Sequence, residues 1–268
     1  MTKLFLSAQA YSKWLNLSQE DHSNVSQFLF RLEKNPLLGV NLWGRQDLYL
    51  YQGARGLKIV YKLAQEQVQV VGIRVPQEHP LPTRNRICAI ILAAGKADYE
   101  DIPVQLFPID GVPLICRVTE AFLNSAIDDL VVVLGYQAEQ VKKELTNKDI
   151  KTIVNPNYER GLSSSLRYGL LMVPRDTAAV MLTLGSRPFI KPEVVGTLIT
   201  AYKREKAPIV APAYHQIRGH PVIFNASLVP ELLKARGNAG GRDVIRRHRE
   251  ELMEVEVGDA GVFTKIEN

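Results

Sequence analysis

Apolar positions follow two different rhythms along this chain of 268 residues. Over residues 7–34 they recur at helical spacing, with Val25, Phe28, Leu29 and Leu32 at i, i+3, i+4 and i+7. Ser18 is placed to cap a helix there, with Asp21 three residues on as an imperfect capping box. Asn35-Pro36 stops the pattern. Short strand-forming runs follow at 48–51, 57–63 and 68–73, the middle one carrying Ile59, Val60 and Tyr61. Residues 53–56 and 64–67 read as turns. The pattern predicts two helices followed by a small antiparallel sheet, a compact α+β unit.

The rhythm is lost between Val75 and Asn85, where three prolines fall in eleven residues, and residues 76–85 are expected to be a linker. Beyond it, buried-strand runs alternate with helical stretches. Strands are predicted at 87–92, 129–135, 151–154, 178–184 and 208–211, and helices at 114–124, 138–145, 163–172 and 192–203. Long apolar strands separated by helices imply a mostly parallel sheet covered on both faces. The expected organisation is an α+β domain over 1–75, the linker, and an α/β domain over 86–268.

Composition adds few limits. Hydrophobic residues make up 46% and charged residues 23%, an ordinary globular balance. The net charge of +5 is shared between the two parts, so no dense basic patch calls for nucleic acid as a partner. Two cysteines, Cys88 and Cys116, are too few for a disulfide scaffold or a cysteine-based zinc site. No apolar run reaches the length of a membrane span, and the start of the chain turns polar after Leu4-Phe5-Leu6. The expectation is a cytoplasmic protein without a membrane partner.

The candidate chemistry lies after the linker. The first long strand ends in Leu92-Ala93-Ala94-Gly95, small residues that let a phosphate-bearing ligand approach the backbone at a strand end, although such junctions also arise without a ligand. Ser163, Ser164 and Ser165 open a helix after Gly161. There, hydroxyls and free N–H groups can receive a base edge or an anion, or serve as a plain cap. Arg160, Arg167 and Arg218 are candidates for an acidic ligand, and His220 lies in Arg218-Gly219-His220-Pro221-Val222. His215 and His220 lack convincing metal spacing. Arg242, Arg246, Arg247 and Arg249, with His248, read as a solvated basic face.

Taken in order, residues 87–118, the stretch Gly161-Leu162-Ser163-Ser164-Ser165-Leu166-Arg167, Pro188-Phe189-Ile190, the Gly-His-Pro stretch and Gly240-Gly241-Arg242-Asp243 resemble the MobA/MocA-like NTP transferases, nearest the molybdenum cofactor cytidylyltransferase type. The resemblance covers residues 86–268. It implies a Rossmann-like sheet of the nucleotide-diphospho-sugar transferase type that binds CTP or GTP with Mg²⁺. It further implies transfer of a nucleoside monophosphate to a molybdopterin-type phosphate acceptor. Leu92, Ala93, Ala94, Gly95, Gly161, Ser163, Ser164, Ser165, Arg167 and His220 are then the expected nucleotide- or substrate-binding residues. The parent motif L-A-A-G-x-S-x-R-M-G-x-P-K departs here: its arginine falls on Tyr99, its second glycine on Asp101 and its lysine on Val104. The strand-end aspartate falls on Ser186. A second acidic motif falls on Lys265-Ile266-Glu267-Asn268, leaving Glu267 as the metal candidate. Asp98, Glu100 and Asp101 bring like charge to a place where a triphosphate is expected. The substitutions at Tyr99, Val104, Ser186 and Lys265 leave two expectations: transfer that is reduced or lost, or a relative that binds a nucleotide, cofactor or protein without transfer. Arg187 and Lys265 could alternatively neutralise phosphates without a metal.

The first 75 residues have their own resemblance. Leu32-Glu33-Lys34-Asn35-Pro36, Gly44, and Tyr51-Gln52-Gly53-Ala54-Arg55-Gly56-Leu57-Lys58-Ile59-Val60-Tyr61 are similar to the RelE/ParE toxin fold. This implies Arg55, Lys58, Arg74 and Tyr61 as ribonuclease candidates. Lys58 and Tyr61 are three apart on one strand and point to opposite faces, with Tyr61 expected in the core. Protein binding or self-association through residues 1–75 is the expected use.

Overall fold

The computed structural model describes residues 3–41, 47–53, 56–64, 67–74, 86–96, 102–146, 149–174 and 176–266. The predicted linker, Tyr99, the acidic residues 98–101, Arg55, Gly44 and Glu267 lie outside the described residues. The chain divides into two compact units, residues 1–84 with 174–176, and residues 85–173 with 177–268.

The first unit runs β1 (Lys3–Leu6), α1 (Ala8–Leu15), α2 (Gln19–Lys34), β2 (Val40–Asn41), β3 (Leu48–Gln52), β4 (Lys58–Ala64) and β5 (Gln67–Arg74). Ser18 does cap α2: its Oγ accepts from the Asp21 N–H at 3.1 Å and donates to the Asp21 carboxylate at 2.7 Å. The strand order is β1-β5-β4-β3-β2, and β1 lies parallel to β5. That corrects the expectation of a purely antiparallel sheet after the helices. Four residues are too short to show a period, yet Leu4 and Leu6 are buried and fix the strand. Phe28 of α2 stacks on Tyr51 at 3.9 Å between ring centroids. Tyr61 is fully buried, while Lys58 on the same strand is exposed. The Tyr61 hydroxyl donates to the Pro36 carbonyl at 2.9 Å and accepts from the Gly39 N–H at 2.8 Å, which fixes the chain just after α2.

In the second unit, β6 (Arg86–Ala93) is followed by a 3₁₀ turn at Val104–Leu106 and the small hairpin β7 (Pro108–Ile109) and β8 (Val112–Pro113). Then come α3 (Leu114–Leu123), β9 (Asp129–Leu134), α4 (Ala138–Glu144), β10 (Lys151–Val154), α5 (Leu162–Leu171), β11 (Thr177–Leu184), α6 (Pro192–Glu205) and β12 (Ile209–Tyr214). β13 (Ile217–Arg218), β14 (Val222–Asn225), α7 (Val229–Leu232), α8 (Arg242–Arg247) and β15 (Leu252–Glu256) complete it. Among the described residues the main sheet has eight strands in the order β10-β9-β6-β11-β14-β12-β13, with β15 paired to β12. β10, β9, β6 and β11 run parallel, whereas β14 is antiparallel to both its neighbours. The sheet is therefore mixed on one side.

Strand alternation sorts its two faces. Ile87, Ala89, Ile91 and Ala93 of β6 join Leu130, Val132 and Leu134 of β9 in a core with α3, α4 and α6. Ile90 and Val133 face the other way and pack on α5 at Gly169. From β6 the chain first builds outward through β9 and β10, then returns to place β11 on the other side of β6. That reversal makes the carboxyl ends of β6 and β11 the topological switch point, where open α/β sheets take their ligands.

Candidate functional site

The switch point is lined by small residues. Gly185, after β11, donates its N–H to the Leu92 carbonyl at 2.9 Å, and a Cβ on Gly185 would meet that of Ala93 at 2.9 Å. Gly135, after β9, is pressed on the other side: a Cβ there would lie 2.6 Å from the Ala94 carbonyl oxygen. Leu92, Ala93 and Ala94 are buried, so their side chains are scaffold and only their backbone comes near the strand ends. Gly95 is exposed, and nothing would meet a Cβ there. The sequence reading did not single out Gly135 or Gly185, although both directly follow apolar runs, as Gly95 does.

Gln105 was also missed. Val104 itself is half-buried in the 3₁₀ turn, and the next residue, Gln105, is almost wholly buried. Its Nε2 reaches the Gly95 carbonyl at 3.4 Å, and its Oε1 is buried without a hydrogen-bond partner. Lys96 places its ammonium 5.3 Å from the ring centre of Tyr136.

The three serines are not ligand-facing, which corrects the expectation for Ser163, Ser164 and Ser165. All are buried. Asn155, fully buried at the end of β10, donates from Nδ2 to the Ser164 Oγ at 2.8 Å and the Ser165 Oγ at 3.0 Å. The Ser164 hydroxyl donates to the carbonyls of Asn157 and Gly161, each at 2.9 Å. The Ser163 Oγ accepts from the Gly240 N–H at 3.1 Å, and the Ser163 N–H donates to the Gly237 carbonyl at 2.9 Å. The Asn238 side-chain oxygen accepts from the Leu162 N–H at 3.1 Å. The start of α5 is thus closed by the 237–240 loop, and the donors that would receive an anion are already used. Gly161 makes the closure possible: its φ of 90° and ψ of 175° suit glycine, and a Cβ would lie 2.4 Å from the Asn238 Oδ1. Arg167 is likewise structural, donating to the Ala235 carbonyl at 3.3 Å. Arg218 pairs with Glu254 at 2.8 Å.

His220 does belong to the strand ends. Its backbone N–H donates to the Val262 carbonyl at 2.7 Å, and the same oxygen accepts from the Arg187 Nη1 at 3.3 Å. The His220 Nδ1 is buried without a hydrogen-bond partner. Burial above all, and then the charges of Arg187 and Arg242, push its pKa down to about 4, so the ring is neutral at pH 7. The Ile266 N–H donates to the Ser186 carbonyl at 2.9 Å. The two positions where the resemblance implies acidic residues, Ser186 and the segment from Lys265, are therefore neighbours.

The described residues there do not by themselves fit Mg²⁺, which takes hard oxygen ligands, chiefly carboxylates, phosphates and water, and Glu267 lies outside them. Ser186 offers a hydroxyl, and Arg187 and Lys265 bring positive charge. Among the described residues no group of three or more His, Cys, Asp or Glu side chains is placed to hold a metal ion. Among those residues, too, no helix is long and apolar enough to cross a membrane.

Relatives share this part of the chain. The bifunctional protein GlmU of Clostridium perfringens is 31% identical over 121 residues, which cover 44% of this chain and 26% of the relative. The chain thus spans about a quarter of that relative's length. Nicotine blue oxidoreductase of Paenarthrobacter nicotinovorans is 26% identical over 60% of this chain and 82% of its own. Among solved structures, the homologue of Mycobacterium tuberculosis Rv0371c from Mycobacterium sp. strain JC1 superposes with a TM-score of 0.62 at 25% identity, over 68% of this chain and 91% of that one. The fold of the second unit is that of the nucleotide-diphospho-sugar transferases. The MobA-like NTP transferase domain matches residues 89–252, more than half of the chain, and the protein belongs to that family.

Proposed function

We propose that the crevice at the carboxyl ends of β6 and β11 binds a nucleoside triphosphate, CTP or GTP, and that transfer of its monophosphate to a molybdopterin-type acceptor is reduced or lost. The observation that carries this reading is the switch point itself. Gly95 leaves the end of β6 exposed, with Gly135 and Gly185 packed closely against Ala94 and Ala93, and a neutral His220 lies at the same strand ends. Val104, Ser186 and Lys265 stand where the resemblance implies a lysine and acidic residues, which supports binding over fast transfer. The test is calorimetric titration with CTP, GTP and ATP, followed by a pyrophosphate-release assay with a molybdopterin-type acceptor. One nucleotide is expected to bind, with release slow or absent. Failure of all three to bind at millimolar concentration would overturn the reading, and rapid release would overturn the reduced-transfer part.

For the first unit we propose a RelE/ParE-like module used for protein binding or self-association. The burial of Tyr61 and the use of its hydroxyl by Pro36 and Gly39 support this over RNA cleavage, because one of the expected catalytic side chains is committed to the core. Sedimentation of the full chain and of a chain lacking residues 1–75, with a transcript-cleavage assay alongside, tests it. A self-associating full chain that cleaves no RNA is expected. Cleavage that Lys58→Ala abolishes would overturn it.

A further inference from the structure

We infer that Asp259 and Lys191 form a positioning pair for the switch-point crevice. They hold residues 259–266 against both loops that leave the strand ends there, and so set the place of His220 and of Ser186-Arg187 toward a nucleotide. Both act through the backbone of Val262, not by touching the ligand. This deepens the nucleotide reading and rests on it.

Three observations converge. First, one segment serves both loops. The Val262 carbonyl accepts from the His220 N–H at 2.7 Å and from the Arg187 Nη1 at 3.3 Å, and the Ile266 N–H donates to the Ser186 carbonyl at 2.9 Å. Second, the approach leaves no room for side chains. A Cβ on Gly219 would lie 2.4 Å from the Val262 carbonyl oxygen, and one on Gly261 would lie 2.2 Å from that of Phe189. Both loops are therefore pressed onto the segment backbone to backbone. Third, Asp259 fixes the segment at its start. Its Oδ1 accepts from the Gly261 N–H at 2.8 Å and caps the 3₁₀ turn at Ala260–Val262, the turn that presents the Val262 carbonyl. Its Oδ2 pairs with the Lys191 ammonium at 2.8 Å. Lys191 directly precedes α6 and ends the loop that begins at Ser186, so the pair ties the turn to the same loop that its carbonyl supports. The Asp259 side chain is 17% exposed and that of Lys191 66%, so the carboxylate is the better-fixed partner. The hydrogen bond from Lys191 holds the Asp259 pKa below its ordinary value, which keeps the pair charged at neutral pH. An ion pair this open contributes little, so the cap on Gly261 carries the larger share.

The experiment reads two quantities on the full chain: hydrogen exchange at the His220 and Ile266 amides, and calorimetric affinity for CTP and GTP. Asp259→Ala should speed exchange at those amides about 10-fold while β6 and β11 keep their protection, and should weaken the nucleotide that binds by about 10-fold. Asp259→Asn keeps an acceptor for Gly261 and Lys191→Met keeps the cap, so each should cost at most about threefold. Adding Lys191→Met to Asp259→Ala should cost nothing further, the mark of two residues acting as a pair. Arg204→Gln breaks an exposed ion pair to Glu205 on α6 and should change neither quantity. Unchanged exchange at His220 and Ile266 in Asp259→Ala would overturn the inference and leave the nucleotide reading intact. Faster exchange with an affinity within about twofold of the parent would do the same, because the crevice would then not depend on the segment. Protection lost evenly across β6 and β11 would also overturn it, since the pair would then serve the whole fold. Failure of the parent chain to bind either nucleotide at millimolar concentration would overturn the nucleotide reading and the positioning role together.

Discussion

The start of α5 and the crevice at the switch point both carry sequence that marks the family, yet they are satisfied in opposite ways. At α5 the polar groups are consumed: Asn155 holds Ser164 and Ser165, the 237–240 loop holds Leu162 and Ser163, and little is left for a ligand. At the strand ends, Gln105 and His220 each keep a buried polar atom without a partner, and His220 lies within reach of the charges of Arg187 and Arg242. A buried polar group left unpaired carries a cost that a closed network avoids. The contrast teaches that a run of hydroxyls can be architecture, while the strand ends keep polar groups that the fold leaves unpaired.

The comparison is broken most forcefully through the backbone. Gly161→Ala should cost about 4 kcal/mol, since it adds a strained conformation to a clash with the Asn238 side chain. Urea denaturation at neutral pH measures it. A cost below about 1 kcal/mol would mean that the 237–240 loop moves freely away from α5, and the N–H groups there could then receive a ligand after all.

Asn155→Ala comes next, at about 3 kcal/mol. It removes the donor to the buried Ser164 and Ser165 hydroxyls and strands the Asn157 N–H, which donates to the Asn155 Oδ1 at 2.8 Å. Because the network is closed, nucleotide affinity in protein that remains folded should stay within about threefold of the parent, a range worth less than 1 kcal/mol. Stability and affinity falling together would return the serines to the binding site.

The crevice is sharpened by pH. The His220 pKa is about 4 in the folded protein and near its ordinary 6.5 when unfolded, so the unfolded chain takes up the proton first. Stability should therefore be complete above about pH 6.5 and should fall by up to about 1.4 kcal/mol per pH unit as the pH drops toward 4. His220→Gln should flatten that acid limb in denaturation midpoints taken at pH 4.5, 5.5 and 7. An unchanged limb would mean that the ring is hydrated enough to titrate normally.

How much of this was legible depends on the length of each signal. The runs that became β6, β9 and β11 are apolar on both faces because helices cover both, and such runs announce themselves. β14 has four residues and β15 reads Leu-Met-Glu-Val-Glu, an edge pattern that neither a helix nor a buried strand claims. Their pairing comes from tertiary contacts. At the site, the residues after β6 were legible because small amino acids cluster there. The direction of Ser163, Ser164 and Ser165 was not, because it is decided by Asn155, just after β10, and by a loop some 75 residues away, through contacts such as Gly240 to Ser163. Gln105 gave no signal of its own, since burial without a partner exists only once the chain is folded.

The smallest effect is expected just beyond the loop that closes α5. His248 bridges Glu251 at 2.7 Å and Glu231 at 2.9 Å, and Arg247 joins Glu231 at 2.9 Å. The hydrogen bonds to Glu251 and then Glu231 raise the His248 pKa above its ordinary 6.5. The folded state here holds its proton more firmly than the unfolded one, so the sign is opposite to that of His220. The stabilisation is full below about pH 6.5 and is lost as the pH rises through the folded value. Side chains this open to solvent are worth less than about 1 kcal/mol in such a cluster. His248→Gln should therefore lower the denaturation midpoint slightly at pH 6 and leave it unchanged at pH 9. A larger loss, or one that persists at pH 9, would show that the closed architecture of α5 extends outward through α7 and α8. The basic face read from Arg242 to Arg249 would then be a structural brace and not a solvated surface.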